Sequence, residues 1–171
     1  RETLTEGKDP RWSPGKGLWI ALVRGDSTNE EILVVPSGGG DARKLDAGGW
    51  PNWTDDGHTL RYRKWINNRA EIWSVDVEDA KSVPSLVFVG PAMNFYPAVS
   101  PDGKYVAFES AGEMTVMKTA DSQVVHTSSL QDWNGFLPIW SRDSRKFSFG
   151  SYASGAGKGL WIFDLETTTS T

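Results

Sequence analysis

The sequence predicts an all-β chain made of four repeats, each of four short strands. Three observations point there. One short motif recurs four times at near-equal spacing, and strand-like alternation follows each copy. The composition is rich in rings and turn formers, with nine Trp and eighteen Gly in 171 residues.

The motif copies are Asp9-Pro10-Arg11-Trp12-Ser13-Pro14, Trp50-Pro51-Asn52-Trp53-Thr54-Asp55-Asp56-Gly57, Tyr96-Pro97-Ala98-Val99-Ser100-Pro101-Asp102-Gly103 and Leu137-Pro138-Ile139-Trp140-Ser141-Arg142-Asp143-Ser144. Their leading prolines, at 10, 51, 97 and 138, are 41, 46 and 41 residues apart. A four-stranded propeller blade takes about 40–45 residues. The segments lack the 3.6-residue period a helix requires. Proline is expected to open each first strand, where its missing N–H costs least. The following turn places Pro, Asp and Gly where a tight reversal needs a preset φ, a side-chain acceptor and a positive φ. Repeat one departs from this with Gly15-Lys16-Gly17, and repeat four with Ser144.

Second strands are expected at Ile20–Leu22, Leu60–Tyr62, Val106–Phe108 and Phe147–Phe149. Third strands are expected at Glu31–Val35, Glu71–Val75, Met114–Met117 and Leu160–Phe163. Both sets alternate and carry β-branched or aromatic residues. Fourth strands at Ala42–Leu45, Leu86–Val89 and Val124–His126 are weaker, as suits an outer edge. The whole of 1–171 then reads as a single β-propeller domain of four blades, with repeats starting near Pro10, Pro51, Pro97 and Pro138. Residues 1–10 align without a gap onto 42–51, so residues 1–9 are expected to be the outer strand of the closing blade. This N-terminal strand would complete the last blade, which otherwise ends after its third strand. The alternative is a four-blade part of a larger ring.

Charge and composition exclude several functions. The net charge is −4, with both signs interspersed, so no basic stripe offers a nucleic-acid surface. The longest apolar run, Leu18–Val23, falls far short of the roughly 20 residues of a membrane span. The absence of cysteine removes disulfides and thiolate chemistry.

The turn Ser100-Pro101-Asp102-Gly103, preceded by Tyr96-Pro97 and followed by Lys104-Tyr105-Val106-Ala107-Phe108, resembles the WD-like propeller repeat of TolB-type proteins. So do Glu71-Ile72-Trp73-Ser74-Val75-Asp76 and Leu160-Trp161-Ile162-Phe163-Asp164-Leu165-Glu166-Thr167. The resemblance implies a bacterial, periplasmic or extracellular propeller used as a non-enzymatic binding scaffold for a protein or peptide partner. It equally implies the accessory propeller of a prolyl oligopeptidase-like hydrolase. It carries no catalytic residues, because the repeat contains none, and no cofactor.

Any site therefore belongs to the loops. Those joining blade to blade, and strands two to three, are aromatic and amide-rich. The candidate partner-binding residues are Trp50, Trp65, Asn94, Phe95, Tyr96, Trp133, Asn134, Phe136 and Tyr152. Rings beside amides suit peptide contacts or sugar stacking. The competing role for Trp50, Phe95, Tyr96 and Phe136 is to wedge adjacent blades together. A carbohydrate-binding propeller is a further alternative, although a lyase of that kind needs clustered His and acidic ligands.

Other chemistry is weighed and set aside. His58 and His126 occupy unrelated positions without a nucleophile motif. The aspartates at 55, 56, 102 and 143 recur at a turn position, which marks turn formers rather than metal ligands. Gly155-Ala156-Gly157-Lys158-Gly159 lacks the first glycine and the Ser/Thr of a phosphate loop. Arg24-Gly25-Asp26 lies in a loop where adhesive tripeptides occur by chance. Asn52-Trp53-Thr54 has the form of a glycosylation acceptor but falls in an inner strand.

Overall fold

The computed structural model describes residues 5–90, 94–110, 113–127, 136–151 and 159–171. Among these residues there are strands and turns and no helix. The first sheet contains β1 (Lys8–Trp12), β2 (Trp19–Arg24), β3 (Glu31–Pro36) and β4 (Arg43–Ala47). The second contains β5 (Gly49–Trp53), β6 (Thr59–Ile66), β7 (Arg69–Asp76) and β8 (Ser85–Val89). The third contains β9 (Asn94–Val99), β10 (Tyr105–Ser110), β11 (Glu113–Lys118) and β12 (Val124–Thr127). The fourth contains β13 (Phe136–Trp140), β14 (Lys146–Ser151), β15 (Gly159–Asp164) and β16 (Thr169–Ser170). In every sheet, neighbours in space are neighbours in sequence. The fold class is all-β, four four-stranded antiparallel propeller blades, as the repeat predicts.

One detail of that prediction is corrected. The fourth position of the last sheet is filled by β16, which pairs with β15 through Phe163↔Ser170 and Asp164↔Thr169. Residues 1–9 do not supply it: Lys8 and Asp9 already belong to β1, and residues 5–7 form no strand. The edge of β15 is satisfied locally by a tight return through Leu165–Thr168, with Thr168 at φ 52°.

The prolines also sit differently from expectation. Each lies in the middle of the inner strand, at an irregularity in the ladder: Lys8/Arg11, Gly49/Asn52 and Phe136/Ile139 bracket three of them. A bulge leaves an unpaired position where the missing proline N–H removes no ladder bond. The preceding residue takes a left-handed φ in three blades: Asp9 at 52°, Trp50 at 56° and Tyr96 at 53°.

The turns after the inner strands follow one scheme. Thr54, Ser100 and Ser141 each donate a hydroxyl hydrogen bond of 2.6 Å to Asp56, Asp102 and Asp143. Each carboxylate then accepts the N–H two residues on, from His58, Lys104 and Arg145 at 3.0–3.1 Å. These aspartates are turn formers, as expected. Burial pushes the Asp56 carboxyl up, but the Thr54 hydroxyl and the Thr59 N–H outweigh it and hold it far below the ordinary carboxylate range. Ser144, at the expected glycine position, adopts φ 61° and is buried. Its hydroxyl accepts the Asp102 N–H at 3.0 Å and so ties the third blade's turn to the fourth's.

By its contacts the chain divides into two compact units, Arg1–Ile66 with Glu71–Phe88, and Asn67–Ala70 with Val89–Thr171. In the first, Ala21, Val23, Ile32 and Val34 from one face of the first blade pack against Trp53, Leu60, Tyr62 and Val75 of the second. In the second, Ala107, Met114 and Val116 of the third blade meet Phe147, Phe149 and Phe163 of the fourth. The same hydrogen bond locks both interfaces: Trp53 Nε1–H donates to the Arg11 carbonyl at 3.0 Å, and Trp140 Nε1–H to the Ala98 carbonyl at 2.8 Å. Donor and acceptor are 42 residues apart in each case.

Candidate functional site

In the first unit, the residues at the end of the blades opposite the Asp turns gather around Trp50. Its backbone strain is a product of the bulge, and it aims the half-buried ring beneath Arg63, whose guanidinium lies 3.7 Å from the ring centroid. Such stacking attracts the cation to the ring face. Arg63 also approaches Glu30 at 3.9 Å, and Glu30 pairs with Lys8 at 3.0 Å. Glu30 is held in turn: its carbonyl accepts the Gly48 N–H at 2.9 Å, and its carboxylate lies where a Cβ on Gly49 would fall. The glycines preceding Trp50 therefore make room for this acid.

A second polar group lies on the next part of the same blade. Asp46 accepts a hydrogen bond from the Tyr62 hydroxyl at 2.5 Å and pairs with Lys64 at 2.6 Å. Lys64 also sits 4.2 Å from the Trp73 ring centroid, and Trp73 Nε1–H donates to Glu71 at 2.9 Å. Burial pushes the Asp46 carboxyl up, but hydrogen bonds from Lys64 and Tyr62 hold it below its ordinary value. Burial first, and then the Asp46 charge, push the Tyr62 phenol well above its ordinary range. Both groups are thus held charged and neutral respectively at neutral pH. Trp65, near the end of β6, is 45% exposed.

The expected site residues fare unevenly. Trp50 is brought together with Arg63, Glu30 and Lys8, and Trp65 is exposed on the same unit. In the second unit Tyr96 is half-buried at its bulge, while the backbones of Asn94, Phe95 and Phe136 pair with Ser110, Glu109 and Gly150. Trp133, Asn134 and Tyr152 lie outside the described residues. Arg63, Glu30 and Asp46 were not singled out from sequence. The one available signal was Arg61-Tyr62-Arg63-Lys64, an unusually basic run inside a strand.

The rejected motifs have structural partners. His58 approaches Asp56 and Asp76 at 3.6 and 3.3 Å. His126 packs its ring 4.7 Å from Phe163, and burial holds its pKa below the ordinary value. Arg24 pairs with Glu31 at 3.0 Å, and Asp26 accepts from the Thr28 hydroxyl and N–H, so this tripeptide shapes its own loop. Among the described residues, no group of three or more His, Asp or Glu converges on a point that could hold a metal ion. No helix there is long and apolar enough to cross a membrane.

Repeated blades, inter-blade tryptophan locks and a loop end of rings and cations define a β-propeller protein. The particular likenesses are to TolB structures. The chain is 21% identical to a putative TolB from Agrobacterium tumefaciens, with a TM-score of 0.70, covering 95% of this chain and 63% of that one. It is 19% identical to TolB from Acinetobacter baumannii, with a TM-score of 0.68, covering 96% and 42%. Pyrococcus horikoshii acylaminoacyl peptidase matches at 12% identity and a TM-score of 0.61, over 92% of this chain and 31% of that one. An uncharacterized protein of Agrobacterium fabrum is 25% identical over 146 residues, which are 82% of this chain. The chain spans 49% of that relative's length. No family model matches. The structural likenesses establish the fold.

Proposed function

We propose that residues 1–171 act as one propeller domain, a non-enzymatic scaffold that offers its aromatic loop face to a protein or peptide partner. The observation that carries this is the bulge before each proline. It holds Trp50 and Tyr96 in a left-handed conformation that β-sheet pairing does not need. Strain of this kind costs on the order of 1–3 kcal/mol per residue and persists where surroundings over-determine it, as at binding sites. The exposed Trp65 and the Arg63–Trp50 stack supply the low-entropy ring contacts and charge that peptide recognition uses. The likeness to TolB supports a periplasmic or extracellular setting.

The test is capture of periplasmic proteins by the immobilised chain, with Trp65→Ala and Arg63→Ala compared against the parent. The expected result is loss of the same captured protein from both variants. Equal capture by all three would exclude this face. The peptidase likeness favours a second reading, an accessory propeller beside a hydrolase domain. It predicts that the encoding gene continues into an α/β-hydrolase, and that the hydrolase fused to this chain loses selectivity when the propeller is deleted. A glycan array separates the carbohydrate alternative.

A further inference from the structure

The fourth blade has two unlike faces. One carries Phe147, Phe149 and Phe163 and is buried against the third blade. The other carries Ile139, Ser148 and Ile162 in one register row, with Leu160 beside Gly150 in the next. Here Ile139 is 65% exposed, Leu160 74% and Ile162 46%. A Cβ added at Gly150 would meet nothing within 4 Å. The equivalent residues of the first blade are Ala21, Val23 and Val34, and of the third Ala107 and Val116, all within the cores that hold the following blade. By position and chemistry, this face is therefore an inter-blade surface.

The first unit carries the matching half. The first blade's outer face consists of Ile20, Leu22, Leu33 and Val35, with Trp12 and Leu18 exposed at 61% and 53%. An open cleft of about 220 Å³ lies there, lined by Pro10, Ile20, Leu22 and Val35 together with Thr5, Gly7 and Lys8. Trp12 is the repeat equivalent of Trp53 and Trp140. Each of those donates its indole N–H to the preceding blade's carbonyl, at Arg11 or Ala98. The equivalent acceptor for Trp12 is the Ile139 carbonyl. One chain thus bears an exposed indole donor on an apolar face with a cleft, and the strand that such an indole bonds.

We propose that the fourth blade's Ile139–Leu160–Ile162 face docks a second copy of this chain through that copy's first blade, with Trp12 bonding the Ile139 carbonyl across the interface. The contact is heterologous, head to tail, so it builds a closed ring where the rotation permits and a larger assembly otherwise. It uses a surface other than the aromatic loop face and stands or falls separately from the proposed partner.

The test is solution mass by light scattering over a wide concentration range, on the 171-residue chain. A mass of twice 18.9 kDa, or a larger multiple, is expected. Trp12→Asp and Leu160→Asp each remove one half of the contact, and each alone should run at 18.9 kDa. An equimolar mixture of the two should then form a two-chain species through the remaining intact pair of faces, at least tenfold more tightly than either variant self-associates. Both side chains are exposed, so a cooperative melt is expected for each variant. Ile139→Glu substitutes for Leu160→Asp should that variant fail to fold. A parent chain monomeric at every concentration, whether its faces stay open or take a blade from the same chain, overturns the proposal. So does undiminished self-association of either variant.

Discussion

Trp12 and Trp53 hold the same place in two copies of one motif, yet Trp12 is 61% exposed and Trp53 9%. Their strands read alike, and both rings follow a bulged proline by two residues. The difference is the blade on the far side. Trp53 packs into the first blade's apolar face and bonds the Arg11 carbonyl, while Trp12 has no such partner among the described residues. In a repeat fold, a residue is thus made core by its neighbouring repeat rather than by its own.

The largest expected effect tests this contrast directly. Trp53→Ala should lower stability by about 3–5 kcal/mol, the usual range for emptying a buried large aromatic site. Trp12→Ala should change it by no more than about 0.5 kcal/mol, as for other surface positions, at a dilution where the chain is monomeric. Denaturant midpoints check both, and equal losses would break the comparison. Next, Trp140→Phe keeps a ring but removes the donor to the Ala98 carbonyl. A loss of about 1–2 kcal/mol is expected for an acceptor left unsatisfied. Trp12→Phe should cost nothing measurable under the same conditions.

Tyr62→Phe sharpens the contrast within the second blade. It removes the hydroxyl bond to Asp46, which should cost about 0.5–1.5 kcal/mol. In the parent, absorbance titration should find one of the four tyrosines still protonated well above its model value of 10.0, and the variant should lack it. The smallest effect concerns pH. The folded Asp56 carboxyl lies below its unfolded value of 3.8, so its contribution is complete above that value. As pH falls from there toward the depressed folded value, the contribution is lost. Asp56→Asn should therefore flatten the acid limb of the stability profile. The first blade's turn, with Gly15-Lys16-Gly17 in that place, has no such acid to lose. Urea melts at stepped pH would measure it.

Much of the fold was legible because its signals are local. The proline spacing, the Ser/Thr-Xaa-Asp turns and the alternating apolar runs each depend on residues close in the chain. Ser144 looked like a defect and proved to be a tie, since its tolerated φ of 61° places a hydroxyl on the Asp102 N–H that glycine could not reach. The last strand was missed because Thr169–Ser170 is two polar residues long and has no period to read. The site was less legible. Trp50 stood out as an aromatic before proline, but its stack with Arg63 and the Glu30–Lys8 pair join residues from three strands and a loop. No spacing in the sequence announces that meeting.

The strand order of each sheet has a consequence for how the chain is made. Every ladder joins consecutive strands, including the last, where β16 returns onto β15. Had residues 1–9 closed the fourth blade, the first residues synthesised would have waited for the final ones. Short separations keep the loop-closure cost low, which favours fast pairing. Each blade can form its hydrogen-bonded sheet as soon as its own forty-odd residues have left the ribosome. The next blade then arrives at a template whose apolar face and carbonyl acceptor are already in place.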